Sequence, residues 1–125
     1  MLSNCRIVGV IATNDYERAR SFYEGKLGFR FVSLDQFALA LRAGENMIRV
    51  VKLPDYVPRQ GTMLGWEVQD IEAEAADLRE RGVTLEKYPF VQDQELGIWT
   101  APGGDRVAWF LDPDGNVLSI SQHVS

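Results

Sequence analysis

The sequence predicts a single α+β domain of two tandem βαβββ modules, whose strands form a curved, incompletely closed mixed sheet with the helices outside. Three observations predict this class: a strand-to-helix pattern occurs twice, a glycine follows each helical stretch, and the second halves of the two copies align without a gap. The 125 residues suit one domain. We expect module one at 4–53, a linker at 54–61 and module two at 62–123.

Module one opens with a largely apolar run, residues 9–13, that has the composition of a strand. Asn14 or Asp15 can cap the helix that follows, and Glu17 can close a capping box on Asn14. Gly28 is expected to end this helix, because glycine readily adopts the left-handed conformation that follows many helices. The apolar residues at helical spacing are Tyr16, Ala19, Phe22, Tyr23 and Leu27.

Module two repeats this order of signals. An apolar run at residues 65–68 precedes Asp70, which can cap the second helix. The helical spacing is carried by Ile71, Ala75 and Leu78, and Gly82 ends the helix at the place that matches Gly28. The two copies are therefore expected to share one local architecture.

Each copy closes with a predicted β-hairpin. Residues 37–50 align to residues 107–120 without a gap, and both stretches read as strand, tight turn, strand. Asp114 and Gly115 form a strong turn signal, because glycine tolerates the positive φ that such turns require. Further strands are expected at residues 29–34, 84–88 and 97–100.

Composition narrows the function classes. The formal net charge of −5, with 18 acidic and 13 basic residues, predicts no nucleic-acid or anionic-lipid binding. Cys5 is the only cysteine, so no intrachain disulfide can form. The first residues lack the layout of a signal peptide, and no apolar stretch approaches the ~20 residues of a membrane span. We expect a cytoplasmic protein with no membrane contact.

Taken together, the motifs resemble the vicinal oxygen chelate superfamily, which includes glyoxalases, bleomycin-resistance proteins and extradiol dioxygenases. The resemblance covers nearly the whole chain and rests on the order and spacing of short stretches rather than on any one of them. These stretches are residues 14–23, 27–29, 68–72, 78–83 and 112–116. It implies a cavity between the two modules and a homodimer, because short members often complete their cavities across a two-fold interface.

The resemblance also implies where a metal would be bound in the family's enzymes. The matching positions here hold Val8, Arg49, Met63 and Ser119. An aliphatic side chain, a permanent cation, a thioether and a hydroxyl are poor ligands for a divalent first-row metal. We therefore predict no metal ligands and no cofactor. A displaced divalent-metal site from Glu67 and His123 is an alternative.

Strand alternation predicts which side chains face the cavity. We assign Val8, Arg49, Met63 and Ser119, whose side chains are expected to point into the cavity, to ligand binding. Glu67 is expected on the same side of its strand as Met63, and we assign it as the candidate catalytic residue, a general base. An Arg49–Glu67 ion pair that only fills the cavity is the structural alternative. Trp99, near a turn, can stack on a planar ligand, although tryptophans more often pack in cores.

Three functions are consistent with these patterns. The first is a metal-independent binding protein of the bleomycin-resistance type that holds a small anionic or aromatic molecule between the modules. The second is a lyase, isomerase or dioxygenase of the glyoxalase class that uses Glu67 as base or a displaced metal. The third is a regulatory domain without turnover. The sequence does not decide whether the protein is an enzyme.

Overall fold

A computed structural model describes residues 1–124. The chain divides into two compact units, Met1–Val57 and a second unit that begins at Pro58. The division falls within the stretch that the sequence assigns to a linker. The single-domain assignment and the cavity between the modules both concern the two units together, and they stay predictions.

The first unit is a four-stranded mixed sheet with one helix. The strands lie in the order β1-β4-β3-β2, with β1 parallel to β4 and the other neighbours antiparallel. Its elements are a short 3-10 turn at Leu2–Asn4, then β1 (Val8–Thr13), α1 (Tyr16–Arg20) with a π-helical continuation (Ser21–Lys26), β2 (Arg30–Leu34), β3 (Leu39–Ala43) and β4 (Asn46–Lys52).

The second unit repeats this topology in the order β5-β8-β7-β6, again with one parallel pair, β5 and β8. Its elements are β5 (Thr62–Glu67), α2 (Ile71–Glu80), β6 (Trp99–Thr100), β7 (Arg106–Leu111) and β8 (Val117–Gln122). The predicted α+β class with two tandem modules is confirmed.

The helix ends are set by local hydrogen bonds. Asp15 caps α1, since its Oδ1 accepts from the backbone N–H of Glu17 at 3.0 Å. The predicted capping box on Asn14 is wrong, because the Asn14 side chain instead makes two 2.9 Å hydrogen bonds with the backbone of Tyr56. Asp70 caps α2 as predicted, by accepting from Ala73 N at 3.2 Å.

The core of each unit lies between its helix and one face of its sheet. In the first unit, Ile11, Val50 and Leu39 are neighbours across three strands, and each is at most 2% exposed. In the second, Leu118 and Phe110 are paired across β8 and β7, and each is at most 1% exposed. We call the opposite side of each sheet, which its helix does not cover, the open face.

Two strand predictions are wrong in detail. Residues 84–88 form a single bridge, Leu85 to Phe110, rather than a strand. The gap-free alignment of the hairpins is also wrong. It matches Leu41 with Leu111 and Ile48 with Leu118. Leu41 pairs with Ile48, but the residue that pairs with Leu118 is Phe110. The turn at 112–116 contains one more residue than its counterpart, and this extra residue shifts β7 by one position.

That longer turn is built around Asp112, which is 5% exposed. Its Oδ1 accepts from the backbone N–H groups of Asp114 and Asn116, both at 2.9 Å. Its Oδ2 accepts from the Asn116 side chain at 2.8 Å. Gly115 has a φ of 90° there, as the turn signal predicts. These bonds hold β7 and β8 at their junction.

Asp112→Ala should destabilise the protein by about 3 kcal/mol, because it leaves buried N–H donors without their acceptor. Glu45→Ala is the matched control in the hairpin of the first unit. The Glu45 and Arg6 side chains are 86% and 72% exposed and 3.4 Å apart, so that loss should be within about 0.5 kcal/mol. Urea unfolding of both variants measures the difference, and equal losses would contradict this account of the turn.

The β2–β3 connection depends on Asp35. The backbone N–H groups of Phe37 and Ala38 donate to its Oδ1 at 2.8 and 3.1 Å. These bonds, with a smaller attraction from Arg49, hold the pKa of the Asp35 carboxyl below its usual 3.8. The stability that this turn contributes is therefore present above pH 3.8 and is lost as the pH falls through the folded-state pKa.

Asp35→Asn should reduce the acid dependence of unfolding below about pH 4 and leave its dependence near neutrality unchanged. Thermal melts of wild type and variant across this range would measure it. Glu45→Gln, an exposed carboxyl on the next hairpin, is the control that should retain the wild-type acid dependence.

Candidate ligand-binding face

The open face of the second sheet presents two neighbouring rows of side chains. Gly65, Ser119 and Trp109 are paired across β5, β8 and β7 in one row. The next row contains, across four strands, Glu67, Ser121, Val107 and Trp99. Strand pleating places both rows on the same side of the sheet, opposite the core residues Leu118 and Ile120.

Four aromatic rings meet at one end of these rows, and we call them the aromatic cluster: Tyr88, Phe90, Trp99 and Trp109. The Trp99 and Trp109 ring centroids are 6.1 Å apart. Phe90 lies edge-on to both, at 6.2 and 5.8 Å, and Tyr88 stacks on Phe90 at 5.5 Å. Phe90 nevertheless remains 59% exposed, and both tryptophans are partly exposed. The cluster is therefore an accessible aromatic surface.

The segment that contains Tyr88 and Phe90 is held against the sheet by close backbone contacts. Glu86 N donates to the carbonyl of Trp109 at 2.8 Å. Gly97 has a φ of 76°, and a Cβ at this position would lie 2.6 Å from the Glu86 carbonyl oxygen. Only glycine therefore allows this approach without displacing backbone.

Tyr88 lies in apolar surroundings within the cluster. Burial, with a smaller contribution from the negative charge of Glu86, raises the pKa of the Tyr88 hydroxyl above its usual 10.0. The ring therefore remains neutral across the physiological range.

The polar end of the same face contains Glu67 and Ser121, which are neighbours across β5 and β8. The Ser121 Oγ lies 2.8 Å from Nε2 of His123, and Nδ1 of His123 lies 3.5 Å from Oδ2 of Asp105. Glu67 is exposed, whereas Ser119 is only 9% exposed. A Cβ at Gly65 would lie 2.7 Å from the Ser119 Oγ, so Gly65 makes room for that hydroxyl.

The structure separates the sequence-predicted site residues into two groups. Glu67, Ser119 and Trp99 lie on the open face of the second sheet, and Met63 lies beside them at an irregularity of β5 with 42% exposure. Val8 and Arg49 belong to the first sheet, on its open face. Their roles in binding stay predictions.

The side chains at the implied metal positions do not fit a divalent metal. Val8 offers no donor atom, Arg49 is cationic, and Met63 and Ser119 supply no anionic oxygen or imidazole nitrogen. Within residues 1–124, no group of three or more histidine, cysteine, aspartate or glutamate side chains is placed to hold a metal ion. His123 is instead beside Ser121 and Asp105.

Sequence patterns missed part of this face. The aromatic contribution of Tyr88 and Phe90 was hidden because residues 84–88 were assigned to a strand, whereas most of that stretch is loop. Pro89, between the two rings, was a usable signal, since proline is disfavoured inside a paired strand. Trp66, which pairs with the core residue Ile120, lies on the opposite face of the sheet and stacks on Phe110 at 6.2 Å.

Comparison with known proteins identifies the family. Residues 6–120 match the family model described as the Glyoxalase/Bleomycin resistance protein/Dioxygenase superfamily. The chain belongs to this superfamily.

The individual proteins that the chain resembles share less than a third of its residues. The chain is 28% identical to the uncharacterized protein YraH of Bacillus subtilis, over 88% of this chain and 91% of YraH. A superfamily member from Sphaerobacter thermophilus has a TM-score of 0.75 at 24% identity, covering 98% of this chain and all of that one. TnmS3, an antibiotic binding protein from a Streptomyces species, has a TM-score of 0.70 at 24% identity and covers 99% of both chains. These structural similarities show the fold alone.

No helix within residues 1–124 combines the length and apolar character needed to cross a membrane.

Gly97→Ala should destabilise the protein by about 1–3 kcal/mol from its positive φ alone, with a further cost for moving the Glu86 carbonyl. Gly103→Ala is the control, because nothing lies within 4 Å of a Cβ there. Chemical denaturation measures the loss of stability in both variants. Tryptophan fluorescence is a suitable probe, because two tryptophans belong to the aromatic cluster. Equal stability of the two variants would contradict the requirement for glycine at position 97.

The Tyr88 hydroxyl should ionise at higher pH than an unperturbed tyrosine, because the phenolate would be desolvated and close to Glu86. Ultraviolet absorbance during an alkaline titration measures this, with Tyr88→Phe identifying the late phase. A titration in which Tyr88→Phe removes the earliest phase instead would show that the ring is solvated.

Proposed function

We propose that this protein binds a small planar aromatic molecule on the open face of its second sheet, without a metal at the positions used by the family's enzymes. The observation that supports this most directly is the aromatic cluster, where a largely exposed Phe90 lies against Trp99 and Trp109. Rigid aromatic surfaces of this kind bind planar ligands by stacking and apolar burial.

The charge of the second unit narrows the ligand class. From residue 58 onward the chain has twelve of the 18 acidic residues and only five of the 13 basic ones. Glu67 adds a carboxylate to the open face itself. This excess of negative charge disfavours an anionic ligand at the cluster and favours a neutral or cationic aromatic compound.

Membership of the superfamily and one structural relative support the proposal of ligand binding. TnmS3 is described as an antibiotic-binding protein, and it has the same fold at 24% identity. Binding by stacking requires no turnover and no cofactor, so it is compatible with the side chains at the implied metal positions. We further propose that the protein is cytoplasmic, as its composition suggests, and a homodimer, as the family resemblance implies.

Phe90→Ala should weaken binding of proflavine, a planar cation, by about tenfold, which corresponds to the loss of about 1.4 kcal/mol of ring contact. Binding is measured by quenching of tryptophan fluorescence and by calorimetry. Phe37→Ala is the matched control: Phe37 is 67% exposed but lies in the first unit, so its removal should leave the affinity unchanged.

Anthraquinone-2-sulfonate, a planar anion, should bind more weakly than proflavine at low salt, and added salt should reduce the difference. Equal loss of affinity in Phe90→Ala and Phe37→Ala, or no proflavine binding at all, would reject the proposal.

The alternative is an enzyme of the glyoxalase class, a lyase, isomerase or dioxygenase, that uses Glu67 as base or a displaced metal bound by Glu67 and His123. Its specific support is that Glu67 lies on the same open face as the aromatic cluster, in the row that ends at Trp99.

Native mass spectrometry of protein purified without chelator separates the two functions and reports the oligomeric mass. We expect a dimer with no stoichiometric metal. A divalent metal that is retained by wild type and lost in Glu67→Gln would favour the enzyme.

A further inference from the structure

Three side chains at the polar end of the open face are arranged in space as a nucleophile, a base beside it, and an acid that orients the base. They are Ser121, His123 and Asp105. The Ser121 hydroxyl is 2.8 Å from Nε2 of His123, and Asp105 Oδ2 is 3.5 Å from Nδ1 of the same ring. Such a series activates serine in enzymes of unrelated folds, and it is recognised by geometry rather than by sequence order.

The surroundings of His123 favour the tautomer that this chemistry needs. An ionised carboxylate only accepts hydrogen bonds, so Asp105 favours a hydrogen on the nearby Nδ1. Nε2 is then an acceptor, and the Ser121 hydroxyl can donate to it. The imidazole is thereby placed to take the hydroxyl proton.

Asp105 is itself fixed by the backbone. Its Oδ1 accepts from Val124 N at 2.8 Å, and its carbonyl accepts from Ala101 N at 2.8 Å. These bonds leave Oδ2 directed at His123. The side chains of His123 and Asp105 are 50% and 43% exposed, so the group is open to small molecules in solution.

Ser121 lies within the row that leads to the aromatic cluster. Its partner on β7 is Val107, and Val107 in turn pairs with Trp99 on β6. An aromatic molecule stacked on Trp99 can therefore present a substituent to the Ser121 hydroxyl across the width of two strands. This placement rests on the proposed function for its ligand class.

We propose that Ser121 is an acyl-accepting nucleophile for activated aryl esters. The Ser121 oxygen forms a bond to the ester carbonyl carbon while its proton passes to Nε2 of His123. The ester carbon–oxygen bond then breaks, and the phenolate leaves, taking that proton. Water, deprotonated by His123, next attacks the acyl-serine, and the carboxylic acid is released with the serine restored.

The experiment uses p-nitrophenyl acetate and the intact protein. Stopped-flow absorbance measures nitrophenolate release, and mass spectrometry of peptides from quenched samples locates the acetyl group. We expect acetylation at Ser121, its loss in Ser121→Ala, and slowing by about a hundredfold in His123→Ala, since general-base assistance typically contributes about 10²–10⁴-fold. Asp105→Asn should slow it by about tenfold.

Two further variants distinguish loss of the nucleophile from loss of the fold. Ser33→Ala, an exposed strand serine in the first unit, should react as wild type does. Ser121→Cys should restore acylation, which a merely structural role of the hydroxyl would not predict. Circular dichroism confirms the fold of each variant.

Acetylation confined to lysines or the amino terminus, or equal rates in wild type and Ser121→Ala, would overturn the inference. Proflavine binding is measured on the same samples. Normal proflavine binding without Ser121 acetylation rejects this inference and leaves the proposed function intact. Acetylation without proflavine binding rejects the proposed function alone.

Discussion

Each module has one helix with which to cover a four-stranded sheet, and this constraint determines where function can reside. The helix buries one face, where rows such as Ile11, Val50 and Leu39 exclude water. The other face keeps its side chains accessible, including Val10 at 60% exposure. Apolar burial stabilises the covered face, so the open face is free to carry polar and aromatic groups that contribute little to the core.

The two modules use their open faces differently. That of the first sheet presents aliphatic side chains and Arg49, whereas that of the second presents tryptophans, Glu67 and Ser121. The difference arises without a change of topology, since both sheets have the same strand order and one parallel pair. Duplication followed by divergence at alternate strand positions is sufficient to produce it, because substitutions there leave the core residues unchanged.

Sequence patterns predicted the two helices, the Asp70 cap and the turn at 112–116, because those depend on local chemistry. Asp70 and Asp112 have roles that follow from residues within a few positions. The register of β7 was not predictable, since one extra residue in the 112–116 turn is invisible to a gap-free alignment. The arrangement of Ser121, His123 and Asp105 was also missed, because Asp105 approaches only when β7 and β8 pair.

The loop from Glu86 to Gly97 lies outside the strand ladders yet supplies two rings of the aromatic cluster. It is fixed near its ends, by Glu86 N on the Trp109 carbonyl and by the close approach of Gly97. The residues in the middle of this loop can therefore be substituted without disturbing its two fixed ends. Libraries varied at positions such as 89 and 90 would alter the exposed aromatic surface while the sheet and the Gly97 anchor stay constant, so this surface can be redesigned separately from the fold.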